Sequence, residues 1–183
     1  NGRVRVLINR RKHDPVRPFE DGFDPQLPPI IQPRVLLADI NGDGEIFVTS
    51  GSIFVGGNFS ATMGFTLGGV GSTVTYDGTG AQSVLGATYD NLVVNKASDT
   101  ATIGGPIMLN RDLTITNGTL DDGGNQINLD SGLASDVSVG ATGTLRLGSP
   151  TVATSFPTPA ASVTLAPGSV VSYQAGVGQS IDT

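Results

Sequence analysis

Oxygen-bearing side chains stand at alternate positions in the stretch Asp39-Ile40-Asn41-Gly42-Asp43-Gly44. Oxygens at the first, third and fifth positions of a loop, with glycine at the sixth, converge on a hard cation such as calcium, because the tight turn folds them to one side. Glu45 follows and adds a carboxylate, although its position ordinarily offers a backbone carbonyl. Asp39, Asn41, Asp43 and Glu45 are therefore the candidate metal ligands, and calcium the candidate cofactor. The apolar runs VLLA and EIFV flank the loop directly, so residues 34–50 read as strand-loop-strand. A hairpin turn rich in Asp, Asn and Gly accounts for the same residues without a metal. Both readings stand at this level.

Catalysis needs acid and base groups gathered on one face. The carboxylates available are Asp121 and Asp122, beside Arg111 and Asp112, with Asp130 and Asp136 further along. Asp121-Asp122-Gly123-Gly124 is better read as a corner, since Asp and Gly supply turn geometry. His13 is the single histidine. No nucleophile elbow or His cluster occurs, and GGVGSTV lacks the lysine of a phosphate-cradling loop. The expectation is a chain that is not an enzyme.

The composition says what holds such residues. Among 183 residues, Gly is abundant at 26 and Trp and Cys are absent, so disulfides and thiolate metal sites are excluded. Gly, Thr, Ser, Asn and Val dominate, which favours short strands joined by tight corners over helices. No apolar run is long enough to span a membrane. The chain begins at Asn1 with no signal-type segment, which implies a removed leader or an excerpt of a longer protein.

Charge is unevenly placed. Six of the ten basic residues fall in the first 17 positions, and the rest of the chain carries four basic and fifteen acidic residues. A basic arm on an acidic body suits a solvated tail or head-to-tail self-assembly. Nucleic acid is not expected, because the body would repel phosphate and no aromatics interleave with the arginines. Residues 1–33 hold the apolar run VRVLI and then six prolines from Pro15 to Pro33. Proline removes donors and keeps the chain extended, so this region reads as a linker or an extended arm. Its run adds to the sheet edge of a neighbour or pairs within its own chain.

From residue 51 to 183 the texture is repetitive. Residues 113–120 (LTITNGTL), 137–145 (VSVGATGTL) and 163–170 (VTLAPGSV) share one form, an alternating apolar strand, a Gly corner and a second strand start. Their starts are 24 and 26 residues apart. Alternation marks a strand with one buried face, and a strand-turn-strand unit at this period marks a solenoid. A longer repeat lies over it: residues 71–84 (GSTVTYDGTGAQSV) and 168–181 (GSVVSYQAGVGQSI) align without gaps at an offset of 97, which about four coils would fill. The second copy lacks the LGATYDNLVV that continues the first, which implies a continuation in a longer protein or one supplied by a partner. The fold class is all-β, a parallel β-helix (β-solenoid) with an extended N-terminal arm. The alternative is a β-sandwich, which also gives short strands and frequent turns.

These repeats, with residues 89–129 (YDNLVVNKASDTATIGGPIMLNRDLTITNGTLDDGGNQINL), resemble those of large repetitive secreted surface proteins of bacteria, adhesin-like in character. That resemblance implies a right-handed parallel β-helix, export to the cell surface, and an adhesive or structural role, and it transfers no catalytic residues. The DxNxDG stretch resembles the calcium loops of dockerins and of FG-GAP type repeats, but Ser50 and Phe47 stand where such loops carry acids.

The expected role is mechanical: an extracellular solenoid subunit of a surface filament, sheath or surface layer that self-associates through its arm and its solenoid ends. The stalk of a bacterial surface adhesin and a glycan-active β-helix of the tail-spike kind are the alternatives. Surface glycans are a further partner class. Asn58 and Asn117 head N-glycosylation sequons, and Asp99-Thr100-Ala101 resembles an O-glycosylation site of surface proteins. The asparagines near strand ends, among them Asn91, Asn95, Asn117, Asn125 and Asn128, suit amides stacked along a solenoid axis.

Overall fold

A computed structural model describes residues 36–37, 40–42, 51–61, 66–67 and 70–179. Among them are fifteen strands: β1 (Leu36–Leu37), β2 (Ile40–Gly42), β3 (Gly51–Val55), β4 (Phe59–Ala61), β5 (Thr66–Leu67), β6 (Ser72–Tyr76), β7 (Gln82–Val84), β8 (Thr88–Tyr89), β9 (Asn91–Ile103), β10 (Ile107–Leu109), β11 (Leu113–Asp121), β12 (Ile127–Leu129), β13 (Asp136–Leu147), β14 (Ser162–Leu165) and β15 (Val170–Tyr173).

Every paired strand runs parallel to its partner. The stacking order β1-β3-β6-β9-β11-β13-β14 follows the sequence, coil upon coil. The molecule is therefore a parallel β-solenoid. A sandwich needs antiparallel sheets packed face to face, so that alternative is overturned.

Each coil has three faces. The first half of each long strand β9, β11 and β13 stacks on its counterpart, and the second half does the same after a corner. The third face is the separate stack β5-β8-β10-β12. The short repeats coincide with the register: Leu113 pairs Val137, and Val137 pairs Val163. Unequal repeat lengths are absorbed at the corner, where the β11–β13 register shifts between Ile115 and Asn117. That bulge houses the extra residue that makes VSVGATGTL longer than LTITNGTL. Gly118 occupies the same corner at φ +78°, and a Cβ there would lie 2.8 Å from the Lys96 carbonyl oxygen. Only glycine tolerates both conditions.

The core follows from alternation. Leu92, Val94, Leu113, Ile115, Val137 and Val139 line one face in columns, and Ala101, Leu120 and Leu145 another, all fully buried. Each apolar residue thus sits on an apolar residue of the neighbouring coil, which no coil alone could provide.

The long repeat differs from the expected whole number of coils. β6 lies on the first face, beneath the first half of β9. Its sequence equivalent β15 lies on the second face, against residues 144–147 of β13. The 97-residue offset is four coils plus one face. The repeated unit is therefore a strand-and-corner device usable at either corner of the coil.

Leu120→Ala opens a cavity in a stacked column and is expected to cost about 2–5 kcal/mol in denaturant unfolding. Thr116→Ala, on an exposed site of the same strand, is expected to stay within roughly 0.5 kcal/mol of the parent.

Candidate functional site

Two polar devices close the corners, and both sit in loops that follow strands. After β6 the chain turns through Asp77–Ala81 and returns at Gln82, which is buried. The Gln82 amide donates to the carbonyls of Val55 and Gly57 in the coil below, each at 2.7 Å. Its Oε1 accepts from the Gly78 N–H at 2.9 Å. From the coil above, Lys96 donates its ammonium to Gly78 O and Gly80 O, each at 2.7 Å, and to Gln82 Oε1 at 2.8 Å. Lys96 is 1% exposed. Burial lowers its pKa, opposed by the charges of Asp99 and Asp77. A buried ammonium is tolerable because three oxygens replace its water.

The loop after β15 repeats the device. Gln179 donates to Leu147 O at 3.3 Å and to Thr154 O at 2.6 Å, and its Oε1 accepts from the Ala175 N–H at 3.1 Å. Leu147 is the register partner of Tyr173, as Val55 is of Tyr76. No described side chain is recorded in the position that Lys96 takes in the first loop.

Above this loop lies the end of the described stack. β14 and β15 pair only with β13 among the described residues. Val163 and Leu165 stand on Val137 and Val139 but are each 50% exposed, where the two residues beneath are fully buried. Val171 and Tyr173 pack partly against the core, and Val177 in the corner loop is exposed. Covering each of Val163 and Leu165 is worth roughly 1 kcal/mol.

The candidate acidic residues fall elsewhere. Asp122 is fully buried and accepts from Gly124 N at 2.7 Å, from Gly148 N at 2.8 Å, and from the Thr154 hydroxyl. It staples three segments of two coils together. Asp121 accepts from Gly123 N and pairs with Arg146 at 3.8 Å. Asp112 accepts from Asp136 N, and Asp130 from Gly132 N. Arg111 reaches not Asp112 but the buried Asp90, at 3.5 Å. Each of these carboxylates closes a turn or a coil boundary, as the corner reading of Asp121-Asp122 expected.

Asp39, Asp43 and Glu45 lie outside the described residues, as do His13 and the N-terminal arm. Asn41 lies in β2, with its backbone paired to Ser60 of β4. Among the described residues no group of three or more His, Cys, Asp or Glu could hold a metal ion. Amide stacking along the axis is present: Asn117 donates to Asn95 at 2.8 Å, and Asn91 and Asn125 donate to backbone carbonyls of neighbouring coils. Sequence reading missed Lys96, Gln82 and Gln179. The only signal was the Gln shared by the two long repeats.

Below Gln82 the interior holds two tyrosines. The Tyr89 hydroxyl donates to Leu85 O at 2.7 Å, so the 3.3 Å contact between the hydroxyls has Tyr76 as donor. Tyr76 in turn accepts from the Leu85 N–H.

Compared with known proteins, the chain matches no family model, no curated protein and no solved structure.

Burial pushes the Tyr76 phenol up to about 12, and burial with repulsion from Tyr76 raises Tyr89 well above 10.0. Folding therefore favours the neutral phenols. Their contribution is complete below the ordinary value of 10.0 and is lost as the pH rises towards 12. Lys96 has the opposite sign, since its lowered value favours the folded chain as the pH rises to 10.5. The expected result is phenolate absorbance of two tyrosines appearing together with loss of the β-sheet circular dichroism signal above pH 10. Two tyrosines ionising at the ordinary value in a still-folded chain would contradict this burial. At the other staple, Asp122→Ala strands the Gly124 and Gly148 donors and is expected to destabilise by about 2–4 kcal/mol in the same denaturant assay.

Proposed function

We propose that this chain is an extracellular structural protein of a bacterial surface, a solenoid subunit that joins end to end into a filament, sheath or surface layer. The observation that carries the reading is the parallel ladder, in which a coil buries its inward side chains only against the coil stacked on it. Among the described residues, Val163 and Leu165 of β14 are half-exposed. A strand edge with apolar residues inward is a template for one more coil.

Charge supports the same reading. Six basic residues lie in the first 17 positions, and the remainder is strongly acidic. Opposite charge on two parts of a subunit favours contact between unlike parts of two copies over like-to-like pairing. Calcium at Asp39, Asn41, Asp43 and Glu45 would stiffen the first coil rather than take part in chemistry. Secretion, surface location and the role of calcium rest on the sequence resemblance and the loop spacing.

Electron microscopy of the full chain at high concentration, with calcium and with a chelator, tests this. Regular filaments or sheets are the expected outcome, shortening as salt is raised because exposed charge pairs are screened. Filaments that fall apart on chelation would assign Asp39, Asn41 and Asp43 as ligands. Monomeric particles under both conditions would overturn the assembly reading and favour a stalk segment of an adhesin.

A further inference from the structure

We infer that Asn117 is a latent deamidation site, held silent by a ladder of side chains across three coils and released when that corner opens. The inference is independent of end-to-end assembly, because it concerns contacts inside one chain.

The sequence supplies the reactive pair. Asn-Gly occurs three times, and the pair Asn117-Gly118 lies at the corner between the two halves of β11. Glycine places no side chain beside its main-chain nitrogen and reaches conformations closed to other residues. In an open chain that nitrogen attacks the Asn117 Cγ. The Cγ–Nδ2 bond breaks, ammonia leaves with the proton given up by the Gly118 nitrogen, and a succinimide ring remains. Water then opens the ring at either carbonyl, giving aspartate or isoaspartate.

The stack opposes the first step. Asn117 is the register partner of Asn95 in the coil below and of Thr142 in the coil above. Its Nδ2 donates to Asn95 Oδ1 at 2.8 Å, and its Oδ1 accepts from the Thr142 hydroxyl. The two ends of one amide are thus held by different coils. To present Cγ to the Gly118 nitrogen, the side chain must swing out of the column, and both contacts break. The other reactant is fixed as well. Gly118 is paired with Gly143 at φ +78°, and a Cβ on it would lie 2.8 Å from the Lys96 carbonyl oxygen, so the corner has little room to turn. Reaction therefore waits on local opening of the corner.

The product fits the closed corner poorly. Aspartate at 117 has no N–H to give Asn95. Isoaspartate routes the main chain through the side-chain carbon and lengthens it where the Lys96 backbone already presses on Gly118. A transient opening is thereby made permanent, beside the lysine that joins this coil to the one below.

The test is peptide mapping by mass spectrometry of the full chain after incubation at mildly alkaline pH, reading conversion at residue 117. The folded parent is expected to convert at least about tenfold more slowly than the same chain in denaturant. Asn95 and Thr142 are both exposed, so their substitution spares the core. Thr142→Val removes the hydroxyl donor and keeps the branched shape. It is expected to speed conversion about threefold to tenfold, with Thr142→Ser near the parental rate and Asn95→Ala adding a similar acceleration. Circular dichroism run alongside reports the fold. A folded parent that converts as fast as the denatured chain would overturn the inference. A folded chain carrying both Asn95→Ala and Thr142→Val but converting at the parental rate would overturn it too, since the backbone alone would then be the lock. Should that double variant lose its β-sheet signal, equal rates for folded Thr142→Val and Thr142→Ser would have the same meaning.

Discussion

Parallel strands cannot satisfy themselves. Every N–H and C=O of a coil must find its partner in the coil above or below, and the same stacking is what removes the inward valines, leucines and isoleucines from water. The two requirements coincide in register. A Leu113 that pairs with Val137 in the ladder also sits on it in the core. Coil length is free to vary so long as register is restored at the corners, and the bulge between Ile115 and Asn117 restores it. Among the described residues, Val163 and Leu165 of β14 stand half-exposed on the buried Val137 and Val139.

Corners pose the opposite problem, because there the backbone leaves the ladder. The chain solves it with buried side chains that imitate backbone. Gln82 and Gln179 carry an amide to carbonyls of the coil below, Asp122 gathers two N–H groups and a hydroxyl, and Lys96 brings three donors to a loop that would otherwise hold bare carbonyls. Such groups are worth most where water is absent, and each ties one coil to the next. Buried polar residues in this solenoid are therefore joints between repeats. That is why a chain with few charged residues keeps a lysine at 1% exposure.

The corner device recurs within the chain: Gln179 meets the carbonyls of Leu147 and Thr154 as Gln82 meets those of Val55 and Gly57. The acidic residues that could have suggested chemistry are spent on turn closure, Asp121 with Arg146 and Asp112 with the Asp136 N–H.

The short repeats declared the architecture by sequence alone. Period-two alternation at 24 and 26 residues allows few ways to bury one face, and stacking is the one that uses the repeat. Columns, corners and stacked asparagines were legible for the same reason, since each is a local pattern multiplied. What only the tertiary structure decided was relative phase. Nothing in the 97-residue offset reveals that its second copy lies on the next face, because phase depends on the summed lengths of every coil between. The partners of Gln82, Lys96 and Asp122 were hidden likewise. Their hydrogen bonds span 14 to 32 residues to neighbouring coils, and a polar side chain read one residue at a time carries no sign of which backbone it will meet.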